Sequence, residues 1–166
     1  MSGRRLVLSA HFREGGDPAF EGQGVRFAAT RGRRSDLGLG LEGKLMAQPW
    51  PSELRLRKDR QALTVTFDDG ESFDLPAEYL RVRSPSAEVQ GHSPSERRTV
   101  AGKADVRILE LHPVGNYAVR LAFDDLHSTG IFSWEYLYEL GRNREKYWRD
   151  YLAELAEKNL SRTPAR

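Results

Sequence analysis

The sequence predicts an α+β domain: a small, mostly antiparallel sheet built from two β-hairpins and packed against a C-terminal helix. Three observations carry this. Apolar residues alternate with polar ones in two separate stretches, the mark of half-buried strands. Each stretch contains a Phe-Asp-Asp turn, at Phe67-Asp68-Asp69 and at Phe123-Asp124-Asp125. Near the C-terminus the period lengthens to the helical one: Tyr147, Tyr151 and Leu155 recur at steps of four, as do Trp148, Leu152 and Ala156.

The 166 residues suffice for one domain with a real core. No run approaches the ~18 apolar residues of a membrane span, so no membrane partner is expected. The chain has no cysteine, which removes disulfides, thiolate metal sites and cysteine nucleophiles. That fits a reducing compartment, and a cytoplasmic protein is expected. The net charge is +2, unevenly spread. Residues 1 to 47 carry 8 of the 26 basic residues against 5 of the 24 acidic ones. The basic character therefore sits in the leader, and the folded part is near neutral. With no basic helix and no aromatics interleaved on a basic sheet, nucleic-acid binding is not expected.

Residues 1 to 47 hold 9 of the 15 glycines and show no sustained period. Ordering that much glycine costs entropy that little burial repays, so a disordered, basic leader is expected. Composition becomes ordinary at Met46, which suggests that translation starts there. The folded domain is expected over residues 48 to 160, with a flexible tail over residues 161 to 166.

The first strand places Leu54 and Leu56 opposite Glu53, Arg55 and Arg57. The second places Leu63, Val65 and Phe67 opposite Ala62, Thr64 and Thr66. Asp68-Asp69-Gly70 is a strong hairpin turn, because glycine accepts positive φ without strain. Phe73 and Leu75 return, and Pro76 opens a short helical turn over Ala77 to Leu80. The polar stretch Ser84 to Lys103 reads as a loop, and its basic residues Arg97, Arg98 and Lys103 show no phosphate-cradling P-loop pattern.

The second copy runs Val106 to Leu111, a strand ended by Pro113 and Gly115, then Tyr117, Val119, Leu121 and Phe123 on one face, then Gly130 to Phe132. Ser133 is a credible helix N-cap. Both copies read strand, turn, strand, helix start, and Glu78-Tyr79-Leu80 parallels Glu135-Tyr136-Leu137. An internal duplication is one reading and chance another. The helix after Gly141 has an aromatic band, Tyr147, Trp148 and Tyr151. Either it packs on the core or it offers a surface to a partner.

Ser84-Pro-Ser-Ala-Glu-Val-Gln-Gly-His92, Val114-Gly-Asn-Tyr-Ala118 and Phe123-Asp-Asp-Leu-His-Ser-Thr-Gly-Ile-Phe-Ser-Trp-Glu-Tyr-Leu137 together resemble the N-terminal domain of gamma-butyrobetaine hydroxylase. The resemblance is closer still to small stand-alone bacterial proteins made of that domain alone, and it spans roughly residues 50 to 160. It implies a structural zinc site of three cysteines and one histidine in the full-length hydroxylases. The histidine position matches His127, and the cysteine positions here read Ser84, Ser86 and Val89. Serine is a poor replacement for thiolate and valine cannot coordinate, so the resemblance implies a scaffold that has lost its zinc.

The hydroxylases' iron triad begins with His-x-Asp/Glu. His11, His92, His112 and His127 are followed two residues on by Arg13, Pro94, Val114 and Thr129. Oxygenase activity in this chain is therefore not expected, and no catalytic residue is assigned. No Gly-x-Ser-x-Gly elbow points to a hydrolase. The reading is a non-catalytic accessory or protein-interaction domain. The resemblance adds partners near iron–sulfur proteins or metalloenzymes, since such domains also occur fused to Mrp-type ATPases. The alternative is a divalent-metal protein that uses His127 with Asp124 or Asp125, joined by His92 or His112.

Overall fold

Alternation decides which side chains reach the core. In strand β4 (Ala62–Phe67), Leu63, Val65 and Phe67 are buried, while Thr64 and Thr66 lie on the opposite, wetter face. The computed structural model describes residues 7–8, 27–28, 49–90 and 98–164. β4 is the centre of an antiparallel meander between β3 (Pro51–Leu56) and β5 (Ser72–Pro76), with Leu63 between Leu56 and Leu75. The wet face is laced by polar cross-strand pairs: Thr64 Oγ1 donates to Asp74 Oδ1 at 2.8 Å, and the Thr66 and Ser72 hydroxyls meet at 3.1 Å.

A second antiparallel meander follows: β6 (Ile108–Val114), β7 (Ala118–Phe123) and β8 (Ile131–Ser133), in that order. The two sheets are separate, so the single small sheet expected from two hairpins is divided into two of three strands each. β6 runs on through Pro113, where a strand end was expected. It is an edge strand, and an edge tolerates the missing amide donor.

The helices are α1 (Ala77–Val82), the four-residue α2 (Ala87–Gln90), α3 (Trp134–Arg142) and α4 (Arg144–Glu157). Ser133 caps α3 as expected, its Oγ accepting the Tyr136 N–H at 3.1 Å. The helix expected after Gly141 is α4, and it follows the Ser133-capped α3 directly. Asn143, with φ −105° and ψ 17°, separates the two. α4 ends at Glu157, and the chain after it is anchored. Gly102 and Ala104 donate their N–H groups to the carbonyls of Ser161 and Arg162 at 2.8 and 2.9 Å.

One core joins both meanders to α1 and α3, with Tyr79, Phe67, Phe123 and Phe132 as its largest fully buried side chains. A smaller cluster of Val82, Tyr151 and Leu155 lies beneath α4, and Trp148 touches both. Of the leader, Val7–Leu8 (β1) and Phe27–Ala28 (β2) pair antiparallel. The expected disorder of the remaining leader residues and the Met46 start lie outside the described residues.

The two meander–helix units are equivalent in detail. Both carry a register shift at the same place, between Pro51 and Glu53 and between Ile108 and Glu110. The Phe67 N–H donates to the Glu71 carbonyl at 2.8 Å, as the Phe123 N–H does to that of His127 at 2.9 Å. Asp68 Oδ1 accepts the Trp50 N–H and Asp124 Oδ1 that of Arg107. Asp69 Oδ1 accepts the Glu71 N–H and Asp125 Oδ1 that of His127.

The contacts between the units are reciprocal. Tyr79 of α1 donates its hydroxyl to the Leu140 carbonyl at 2.9 Å, and Tyr136 of α3 donates to the Arg83 carbonyl at 2.8 Å. Gly141 clears room for Phe73, since a Cβ there would lie 2.2 Å from the ring. Gly130 clears room for Ser84, where a Cβ would lie 2.1 Å from Oγ. Contacts that swap partners in this way are the signature of a two-fold relation, here between halves of one chain. The duplication reading of the sequence gains its support from this pattern.

Candidate functional site

Arg83 caps the C-terminal end of α1, and the next residue, Ser84, is fully buried. The second turn brings His127 to it, also buried, at 4% exposure. Ser84 Oγ and His127 Nε2 share a hydrogen bond of 2.8 Å, and the Phe123 ring lies 6.0 Å from the imidazole. Glycine at position 130 is what allows the serine to come so close. Ser86 is 4% exposed and Val89 1%. Val89 donates its N–H to the Ser86 carbonyl at 3.0 Å, while the Ser86 hydroxyl is buried without a hydrogen-bond partner among the described residues.

The positions that the resemblance marks for zinc are thus interior positions, and one of the three joins His127 directly. The donors present do not fit the ion. Two neutral hydroxyls and an isopropyl group replace three thiolates, and the imidazole nitrogen is already engaged by Ser84. Among the described residues no group of three or more His, Cys, Asp or Glu is placed to hold a metal.

The aspartates beside His127 serve other ends. Asp125 Oδ2 meets Arg81 Nε at 2.8 Å and Lys103 Nζ at 2.6 Å, with the arginine and aspartate side chains 10% and 16% exposed. Burial pushes the Asp125 pKa up, but the hydrogen bonds and charges of Lys103 and Arg81 outweigh it. The carboxyl ends below its ordinary value of 3.8. Asp124 caps the Arg107 N–H at 3.0 Å on an exposed turn. Of His127, Asp124 and Asp125, the structure therefore brings no set of metal-facing side chains together. His112 lies on β6 with its Nε2 2.7 Å from Glu110, and His92 lies outside the described residues.

The aromatic band of α4 faces inward. Tyr151 is 3% exposed and donates its hydroxyl to the Val100 carbonyl at 3.0 Å, and burial raises its pKa to about 12. Trp148 packs edge-on against Tyr79, with ring centres 6.3 Å apart, beneath the Arg162 guanidinium at 4.9 Å. Tyr147 bonds to Glu139 and lies under Arg83. Of the two sequence readings of these three residues, the packing one describes their contacts.

Sequence reasoning missed Arg81 and Lys103 as the partners of Asp125, and it missed the serine–histidine pair. The Arg81–Asp125 and Ser84–His127 pairs join segments more than forty residues apart, Lys103 reaches Asp125 from a third segment, and no local pattern announces them.

Two equivalent meander–helix units locked by reciprocal contacts, with a thiol-free and buried joint, define a small α+β scaffold domain. The chain belongs to the gamma-butyrobetaine hydroxylase-like, N-terminal family, whose model matches residues 54–138. It is similar to a protein solved by NMR in solution at 46% identity and a TM-score of 0.63, covering 72% of this chain and 94% of that one. A second NMR structure shares 42% identity at a TM-score of 0.62, covering 76% and 94%. A crystal structure of a protein with unknown function from Acidithiobacillus ferrooxidans shares 40% identity at a TM-score of 0.46, covering 57% and 92%. No curated protein matches the chain. Among the described residues, no helix is long and apolar enough to cross a membrane.

Proposed function

We propose that this chain is a non-catalytic accessory domain that works by contact with a protein partner, on the family scaffold without its zinc. The observation that supports this best is the Ser84–His127 hydrogen bond. It occupies the one retained ligand, and it sits among side chains that serve packing. Ser84 is fully buried and His127 4% exposed, so among the described residues the hydroxyl is not presented to a substrate. The small-hydrolase reading gains no support from it. The family resemblance supplies the partner class: an iron–sulfur protein or another metalloenzyme, in the cytoplasm to which the cysteine-free composition points.

Metal analysis tests the proposal. Purified, tag-free wild type is expected to hold no stoichiometric metal, and the triple variant S84C/S86C/V89C to take up one zinc. With free zinc near ~1,000 times Kd, that variant should gain about 4 kcal/mol of stability, read by thermal unfolding. A wild-type protein carrying one equivalent of metal that His127→Ala abolishes would overturn the proposal in favour of a metal-binding protein.

A further inference from the structure

Beside Tyr79 and Trp148, the corner between α3 and α4 borders an open cleft of about 890 Å³. That is within the ~300–1,000 Å³ of ligand sites generally. Its rim carries five cations, Arg142, Arg144, Lys146, Arg149 and Arg162, against two carboxylates, Glu78 and Glu145. Two of the cations are already paired, Arg162 with Glu78 and Arg142 with Glu71 at 3.3 Å, which leaves Arg144, Lys146 and Arg149 against Glu145. Glu78 is 6% exposed and is held by both Arg162 Nε and Arg162 Nη2, at 2.9 and 2.7 Å. Arg144 donates to the Asp74 carbonyl, a neutral acceptor. Lys146 and Arg149 are exposed and make no side-chain hydrogen bond or ion pair among the described residues. Positive charge therefore accumulates on one wall of a cleft in a domain that is otherwise near neutral.

We propose that this cleft docks an acidic peptide segment of a partner protein. The proposal rests on the contact function above and names the chemistry of the partner. The arrangement of the charges favours a chain over a compact anion. Arg144 and Arg149 lie within α4, where a rise of ~1.5 Å per residue separates them by roughly 7–8 Å along the axis. That is the reach of two to three residues of extended peptide, at ~3.3 Å each. Successive carboxylates can meet successive cations along such a wall. A single phosphate would need them to converge on one point.

The test uses a fluorescein-labelled hexaglutamate peptide, with hexaglutamine as the uncharged control and inorganic pyrophosphate as the compact anion, read by anisotropy at low salt. Hexaglutamate should bind and hexaglutamine should not. K146E/R149E should weaken the binding by about tenfold or more. The fold should survive that change, because neither side chain is engaged. R55E/R57E, at exposed positions in and just after β3 and outside the cleft, should leave binding unchanged. Three results would overturn the proposal: no hexaglutamate binding, equal loss in both reversal variants, or pyrophosphate binding that K146E/R149E abolishes while the peptide stays free. Affinity purification separates this from the contact reading itself. A partner held equally by wild type and K146E/R149E sinks the cleft and leaves the accessory role standing.

Discussion

In the first unit all of the turn Asp68-Asp69-Gly70 lies at the surface; in the second, Asp124 and Leu126 of the matching turn are exposed too, but Asp125 between them is drawn inward. The backbone hydrogen bonds of Phe67 and Asp68 recur at Phe123 and Asp124, and each turn is grasped in the same way. A side chain from the other unit's helix reaches the second aspartate. Tyr138 donates to Asp69 Oδ2 at 2.8 Å, and Arg81 to Asp125 Oδ2 at 2.8 Å. The difference is one of charge and burial. A neutral phenol meets an exposed carboxylate in one half. In the other, a guanidinium and an ammonium clamp a half-buried one. One backbone plan thus supports a plain surface turn and a charged interior joint, depending only on the side chains placed on it.

The largest break in this comparison should come from the charges. Asp125→Asn strands Arg81 and Lys103, and should cost about 2–3 kcal/mol after allowance for solvent screening. Asp69→Asn at the equivalent exposed site should cost less than ~0.5 kcal/mol. Denaturant unfolding of the two variants measures the gap, and equal losses would refute the distinction. The same carboxyl sets a pH dependence. The Asp125 pKa is depressed on folding, so its contribution is complete above the ordinary value of 3.8 and drains away as pH falls through the folded value. Asp125→Asn should flatten that acid limb.

A smaller effect is expected where the units exchange bulk for space. Phe73 faces Gly141 in one half, and Ser84 faces Gly130 in the other. Gly130→Ala drives a methyl into Ser84 Oγ and should cost about 2 kcal/mol by overpacking. It should also move the His127 imidazole resonances, because the serine must leave its hydrogen bond. Unchanged resonances would show that the pair tolerates the methyl.

The smallest effect concerns the turn residue itself. Gly70 has φ +90° and its counterpart Leu126 has φ +67°, a conformation that costs a branched L-residue energy, and Leu126 is 94% exposed. Leu126→Gly should raise stability by up to about 1 kcal/mol, and Gly70→Leu should lower it by a similar amount. Thermal unfolding decides the sign; a destabilising Leu126→Gly would mean that the leucine side chain holds the turn.

Much of the fold was legible in the sequence because its signals are local. The strand pair of Leu63-Val65-Phe67 and Val119-Leu121-Phe123, the two Asp-Asp turns and the Ser133 cap each act over a handful of residues, and each stands where expected. The candidate site was legible only in part. His127 and the degenerate positions Ser84, Ser86 and Val89 came from the resemblance, while the bond between Ser84 and His127 did not. Pro113 misled because the sequence does not say which strand lies at an edge.

The chain on its own thus determined which stretches are strands and helices, which faces turn inward, and that no thiolate can bind metal, since these follow from side-chain alternation and composition. Only the tertiary structure decided how the two units clasp each other, that Asp125 belongs to Arg81 and Lys103, and that five cations gather at one cleft. Those contacts join residues distant in sequence, and they form only when hydrophobic burial has brought the separate sheets and helices onto a common core.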